Sequence, residues 1–461
     1  MYQDCKLSDQ FAAGQSPASI VPLFSWPLVS RNGGRDQPLA QPAPPVHVAL
    51  IGTYAPRKCG IATFTTDLVE QLAAHQPQVT TAVYALDSAD QAGRYAAPVQ
   101  LFEQDRPAAY RETARAINAS GADAVWLQHE FGIFGGPDGE LVCELVDHLA
   151  APLIITFHTV LSQPSANQRR IVLHLLSRAE RIMVMSQHGR ELLLRNYGAD
   201  ADRVEVIAHG APDRPFGRED EFKQQLGLSG QNVLMTFGLL GPGKGLEQVI
   251  SALPAIVARY PDTLYRIVGA THPTLAAREG EAYREGLIAL ADRLGVARHI
   301  GWENSFLDTP QLLDQIEACD IYITPYINLQ QATSGTLSYA VALGKAVVST
   351  PYVHARELLA GGVGVLVPPA SSAAIADAVI ALLADRGHLT ATRQRAYAAG
   401  RATIWPQFAQ ATAALVQRAT ARPVPAQPLI APLGREALRT RRDAASGLRH
   451  PAASVPDRRH G

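Results

Sequence analysis

The stretch NVLMTFGLLGPGKGLEQVISALPAIVARY, residues 232–260, decides the fold. Its opening apolar run, NVLMTFGLL, has the length and composition of a buried strand. GPGKG breaks that run, and from Leu246 onward apolar residues recur at helical spacing. Strand, glycine loop and helix in this order place Lys244 at a strand end, beside a helix N-terminus whose free amides and dipole favour a phosphate. Residues 238–245, GLLGPGKG, nearly match the P-loop pattern, but Gly245 stands where a hydroxyl would hold Mg²⁺. That disfavours an NTPase and leaves two readings of Lys244, a phosphate-binding cation or a surface lysine in a glycine turn.

The same alternation extends in both directions. Downstream come DTLYRIVGA, RHIGWE, IYITPYI, KAVVSTPY and VGVLVPP. Upstream lie VHVALIGTY (46–54), VTTAVYAL (79–86), ADAVWLQHE (122–130), PLIITFHT (152–159), RIMVMS (181–186) and VEVIAHG (204–210), with amphipathic stretches between them. Repeated βαβ units of this kind predict parallel sheets. APDRPFGREDEFKQQLG separates the two series and places a linker near residues 211–220. Two doubly wound domains in tandem, each binding ligands at the carboxyl ends of its strands, would share one cleft.

Composition limits what that cleft serves. A chain of 461 residues suits two domains. Lys plus Arg total 41 against 42 for Asp plus Glu, so no overall field draws the chain to nucleic acid or an anionic membrane. Cys5, Cys59, Cys143 and Cys319 lack disulfide or zinc spacing, which fits a reducing cytoplasm. The N-terminus lacks a signal-peptide pattern, and no run reaches the roughly 18 apolar residues of a membrane span. Peripheral membrane contact stays open. Residues 1–45 and those from 422 onward are rich in Pro, Gly, Ser, Ala or Arg without periodicity and read as disordered tails.

Three further features face the predicted cleft. Gly52 and Gly60 flank the loop after the first strand, either an ordinary βα turn or a close approach to a ligand. Thr333, Ser334, Gly335 and Thr336 precede an apolar helix, either as a simple cap or as a second anion cradle beside Lys244. His129 and Glu130 end a strand and enter the glycine-rich FGIFGGPDGE, which suits acceptor binding, acid–base work or the structuring of that loop. The DxD of Asp200 and Asp202 falls between a helix and a strand and reads as a solvated turn, so no metal is expected.

The ordered series of Gly60 loop, His158 in TFHT, Lys244 in GPGKG and a Gly-capped helix before GKAVVST resembles the family-4 (group 1) retaining glycosyltransferases over residues 46–420. The resemblance implies an α/β chain of GT-B type, two doubly wound Rossmann-like domains facing across a cleft. It divides the chain into an acceptor-side domain at 46–212, a nucleotide-sugar-binding domain at 213–402 and a helix at 403–421 returning to the first domain. It assigns His158 to the donor sugar, Lys244 and the amides of Ser334, Gly335 and Thr336 to the diphosphate, Ser186 to the donor, and Gly60 to phosphate and acceptor. The implied partners are a nucleotide-sugar donor, itself a substrate, and a saccharide or lipid-linked acceptor. No cofactor is implied. Leu239 stands where the family usually has Arg, and Gln331 and Tyr339 stand in the places of its two glutamates. The first glutamate addresses the donor sugar and the second the ribose, so a phenol at 339 predicts weak discrimination between ribo- and deoxyribonucleotides. These departures keep a second reading open, a binding protein on the same fold with weakened turnover.

Overall fold

The computed structural model describes residues 45–87, 94–96 and 98–421; residues 1–44 and 422–461, which include nearly all of both expected tails, lie outside the described residues. Two parallel sheets organise the rest. The first has seven strands, β1 (Val46–Gly52), β2 (Val79–Asp87), β3 (Gln100–Glu103), β4 (Ala124–His129), β5 (Leu153–Phe157), β6 (Ala179–Val184) and β7 (Val204–Val206), in the order β3-β2-β1-β4-β5-β6-β7. The second has six, β8 (Asn232–Phe237), β9 (Thr263–Val268), β10 (Ile300–Glu303), β11 (Ile321–Thr324), β12 (Ala346–Ser349) and β13 (Val365–Leu366), in the order β10-β9-β8-β11-β12-β13.

Both sheets are fully parallel, and central strands such as β4 and β11 are buried along their whole length, which is why they read as continuous apolar runs. In each sheet the strand order reverses beside the first strand, between β1 and β4 and between β8 and β11. Crevices open at such reversals, on the carboxyl edge of the sheet. The edge strand β3 was not read in the sequence, because QLFE is too short to show alternation. Several strands also end earlier than their apolar runs, which leaves His158, Ser186 and His209 in the loops beyond β5, β6 and β7.

The chain crosses between the two lobes twice, side by side. Ala211 donates its amide to the carbonyl of Thr403 at 2.9 Å and accepts from the amide of Trp405 at 2.9 Å. The helix Trp405–Thr420 then lies against the helix Gly60–His75 and strands β4, β5 and β6 of the first sheet. At Gly210 the backbone runs beneath the Trp405 indole, and a Cβ there would sit 1.9 Å from the ring. One continuous apolar cluster, including Phe64, Phe237, Tyr339, Trp405 and Phe408, joins the facing sides of the lobes.

Candidate active site

Between the carboxyl edges of the two sheets lies a cavity of about 460 Å³. Its second-lobe wall starts where β8 ends. The loop after Phe237 passes through a short turn, Pro242–Lys244, to Gly245 and the helix Leu246–Arg259. Gly245 has φ +67°, and a Cβ there would lie 2.2 Å from the Pro325 carbonyl oxygen. A serine or threonine has no room at this position, so the metal-holding hydroxyl of a P-loop is sterically excluded. Lys244 lines the cavity, its Nζ 4.2 Å from the centre of the Tyr326 ring, and it has no carboxylate partner among the described residues.

Opposite that lysine in the same wall starts the helix Gly335–Ala342. Ser334 caps it, its Oγ accepting from the Leu337 amide at 3.3 Å. The Ser334 amide donates to Nδ1 of His354 at 2.9 Å, and Thr336 Oγ1 contacts the Tyr326 hydroxyl at 3.0 Å. The amides of Gly335 and Thr336 meet no acceptor among the described residues. A lysine and two free amides at a helix N-terminus therefore converge on one cavity, as anion binding requires. Gly335 also makes room for His209, whose Nε2 would lie 2.9 Å from a Cβ at that position. Nδ1 of His209 hydrogen-bonds the Gly210 carbonyl at 2.7 Å, so Nε2 carries the free lone pair, and burial lowers the imidazole's pKa.

The first lobe supplies the other wall. Gly60 opens the helix Gly60–His75 behind a weak cap, the Cys59 thiol, and lines the cavity together with Phe64 and Asp67. His158 also lines it. Its Nε2 donates to Gln128 Oε1 at 3.0 Å, its ring meets the edge of Phe64 at 4.9 Å, and burial pushes its pKa down to about 3. A neutral imidazole with Nε2 engaged offers Nδ1 as an acceptor to a ligand hydroxyl. Glu130 lines the cavity with both oxygens engaged, by the Phe131 amide and the Thr159 hydroxyl, and burial raises its pKa.

Three residues stand differently from the sequence reading. His129 is fully buried and absent from the cavity lining, its ring packed by Phe131, Phe134 and Phe157. Alternation along β4 is the cause, because Gln128 points toward His158 and its neighbour must therefore point to the opposite face. Ser186 caps the helix Gln187–Tyr197 through Gly189, and the first two amides of that helix donate to Glu357 across the lobes at 3.0 and 2.8 Å. No amide there remains for a donor, and Ser186 does not line the cavity. Tyr339 lines the cavity, but its hydroxyl donates to Asp67 Oδ2 at 3.0 Å. Gln331 lines it too, with Nε2 turned back to the Thr333 carbonyl at 2.9 Å. Asp202 donates its amide to Asp200 Oδ1 in a short turn, away from this cavity.

Asp67 and His209 were missed in the sequence. Asp67 follows Gly60, Thr63 and Phe64 on one helix face, a spacing that marks it once Gly60 is taken as a site residue. His209 carries no such signal.

A second cavity of about 1140 Å³ adjoins the first, sharing Ile61 and His272 with it and lined by Arg57, Lys58, Asp87 and Arg106. Arg57 is held by the Leu86 carbonyl and Gln104, and Lys58 lies 6.0 Å from the centre of the Phe306 ring of the other lobe.

Residues 59–213 match the family model described as Glycosyltransferase Family 4, and residues 218–402 match that of Glycosyl transferases group 1. The D-inositol 3-phosphate glycosyltransferase of Rhodococcus opacus (strain B4) is 27% identical over 250 residues, 50% of this chain and 52% of the relative. That of Corynebacterium glutamicum (strain R) is 28% identical over 274 residues, 54% of this chain and 62% of the relative. The matched part thus spans between half and two thirds of these curated relatives. Among solved structures, Anabaena Alr3699/HepE in complex with UDP superposes with a TM-score of 0.64 at 19% identity, covering 80% of this chain and 99% of that one. Sucrose-phosphate synthase from Thermosynechococcus elongatus gives 0.66 at 17% identity, covering 82% and 99%. At these identities the solved structures establish the GT-B fold.

Proposed function

The chain belongs to the family-4, group 1 glycosyltransferases, and on that premise we propose that it moves a sugar from a nucleotide-sugar donor to an acceptor hydroxyl with retention of configuration. The observation that carries the proposal is the convergence of Lys244 and the free amides of Gly335 and Thr336 on one cavity, with His158 on its far wall. In this reading the diphosphate lies against the lysine and the two amides, which stabilise the charge that grows there as the glycosidic bond breaks. His158, neutral and fixed by Gln128, accepts from a hydroxyl of the transferred sugar and orients it. Neither cavity-lining carboxylate, Asp67 or Glu130, is proposed as a nucleophile. The acceptor attacks on the face the diphosphate leaves, and the departing phosphate oxygen takes its proton.

The acceptor enters through the second cavity, where Arg57, Lys58, Asp87 and Arg106 suit a polar, hydroxyl-rich molecule. With Leu239 in place of a second cation and Gln331 uncharged, the phosphate charge rests on Lys244 and backbone amides, without a metal. Uridine is the first base to try, because the HepE structures hold UDP or UDP-glucose. The test incubates the full chain with UDP-, GDP- and ADP-sugars and a panel of saccharide acceptors, and follows the anomeric proton of the product by NMR. Transfer with the donor's configuration supports the proposal; an inverted product refutes retention. Tight donor binding without transfer to any acceptor supports the second reading, a binding protein, which the uncharged Gln331 favours.

A further inference from the structure

Resting on that donor reading, we propose that Asp67 is a further ligand-reading residue, its carboxylate accepting from a ligand hydroxyl next to the diphosphate while Tyr339 of the other lobe holds it in place. Two carboxylates line the cavity among the described residues, Asp67 and Glu130. Both oxygens of Glu130 are taken by protein donors. Asp67 is only 8% exposed, and Oδ2 accepts from the Tyr339 hydroxyl, yet Oδ1 meets no donor and the side chain no cation among the described residues. Oδ1 is not sealed in the core but opens onto the cavity, where it is presented to whatever occupies it. Its open oxygen is explained if a hydroxyl arrives with the ligand.

Its position says which hydroxyls. Tyr339 lies three residues beyond Thr336 on the helix Gly335–Ala342, about 4.5 Å along the axis. Tyr339, which holds Asp67, therefore leaves its helix within one turn of the free amides that receive the phosphate, and Asp67 lines the same cavity. The hydroxyls nearest a bound diphosphate are those of the ribose on one side and of the transferred sugar on the other. Burial raises the Asp67 pKa to about 7. If the ribose is the hydroxyl bearer that is read, the expectation drawn from a phenol at 339 reverses. Tyr339 gives its hydroxyl to Asp67, and a carboxylate reaches the cavity from the opposite lobe, 272 residues away in sequence. Because the two partners sit on different lobes, the reading group is assembled only when they face each other as here.

Calorimetric titration of the full chain tests this with UDP, GDP and ADP, with the 2′- and 3′-deoxy forms of whichever binds, and with its nucleotide sugar, in wild type, Asp67→Ala, Asp67→Asn and Tyr339→Phe. If the ribose is read, wild type loses roughly ten- to hundredfold in affinity on removal of the hydroxyl, as expected for a charge-assisted bond. Asp67→Ala then loses almost nothing further. If the transferred sugar is read, the gain of nucleotide sugar over diphosphate shrinks by a similar factor in Asp67→Ala. Either pattern upholds the assignment, with a smaller effect in Tyr339→Phe, where the carboxylate loses its anchor but stays in the cavity. Asp67→Asn, nearly isosteric, keeps the test open if alanine at 67 does not fold, and shows a partial loss of the same discrimination. Unchanged ratios in both Asp67 variants, with binding retained, would overturn this assignment alone. Failure of every diphosphate to bind wild type would overturn the donor reading, and this one with it.

Discussion

Asp67→Asn should stabilise the folded chain, and increasingly so as pH rises from 5 to 8. The side chain is 8% exposed, has no cation partner, and burial raises its pKa from 3.8 to about 7, with the Glu70 carboxylate adding to the rise and the Tyr339 hydroxyl opposing it. The folded chain thus prefers the protonated acid. Asp67 is harmless to the fold below about pH 4 and its cost grows as pH rises through the folded value near 7. At pH 8 that cost is on the order of 4 kcal/mol relative to a neutral side chain, and the part gained between pH 5 and pH 8 is roughly 2 to 3 kcal/mol. Asparagine fits the same space, can accept from Tyr339 through Oδ1 and does not ionise. Urea unfolding of both proteins at pH 5 and pH 8, followed by circular dichroism, gives the two differences, and any constant effect of the substitution cancels between them. A stabilisation that grows by about 2 kcal/mol or more toward pH 8 is expected. An equal effect at both pH values would show that Asp67 does not titrate in this window, and the burial argument would fail.

The remaining predictions concern the ligand. Lys244→Ala should weaken nucleoside diphosphate binding roughly tenfold or more while changing the melting temperature of the free protein little, because Nζ faces the cavity and its one contact with the core is the face of the Tyr326 ring. Calorimetry with paired thermal scans checks both halves. His158→Ala should lower kcat much more than nucleoside diphosphate affinity, since on the proposed reading its lone pair meets the sugar; steady-state kinetics set against diphosphate titration separate the two effects. Transfer activity should survive exhaustive EDTA treatment, and rescue by added Mn²⁺ or Mg²⁺ would assign a metal that this account does not use.

The fold was legible because each buried strand leaves a run such as VALIG or IYIT, and each glycine break falls at a sheet edge. The edge strand β3 was not, since QLFE buries a single residue, Phe102, and shows no pattern. The convergence of Lys244 and Ser334–Thr336 on one cavity could be anticipated because helix N-termini and glycine loops are local features. Side-chain direction is less local. His129 and His158 look alike in sequence, but pleating sends the first into a phenylalanine cluster and leaves the second in the loop facing the cavity. Ser186 carries the proper residue type at a strand end, yet a carboxylate from the other lobe, Glu357, fills the helix terminus it caps. Contacts across the lobes leave no periodic trace, which is why the Asp67–Tyr339 pair emerged only with the structure. Tyr339 itself was noticed for what it replaces and not for what it holds.

The most direct test of the donor site is a crystal structure of the full chain grown with the nucleoside diphosphate that calorimetry selects. The account predicts the terminal phosphate within hydrogen-bond distance of Lys244 Nζ and of the Gly335 and Thr336 amides, in the cavity also lined by His158. A diphosphate bound elsewhere, with those amides and the lysine untouched, would contradict it.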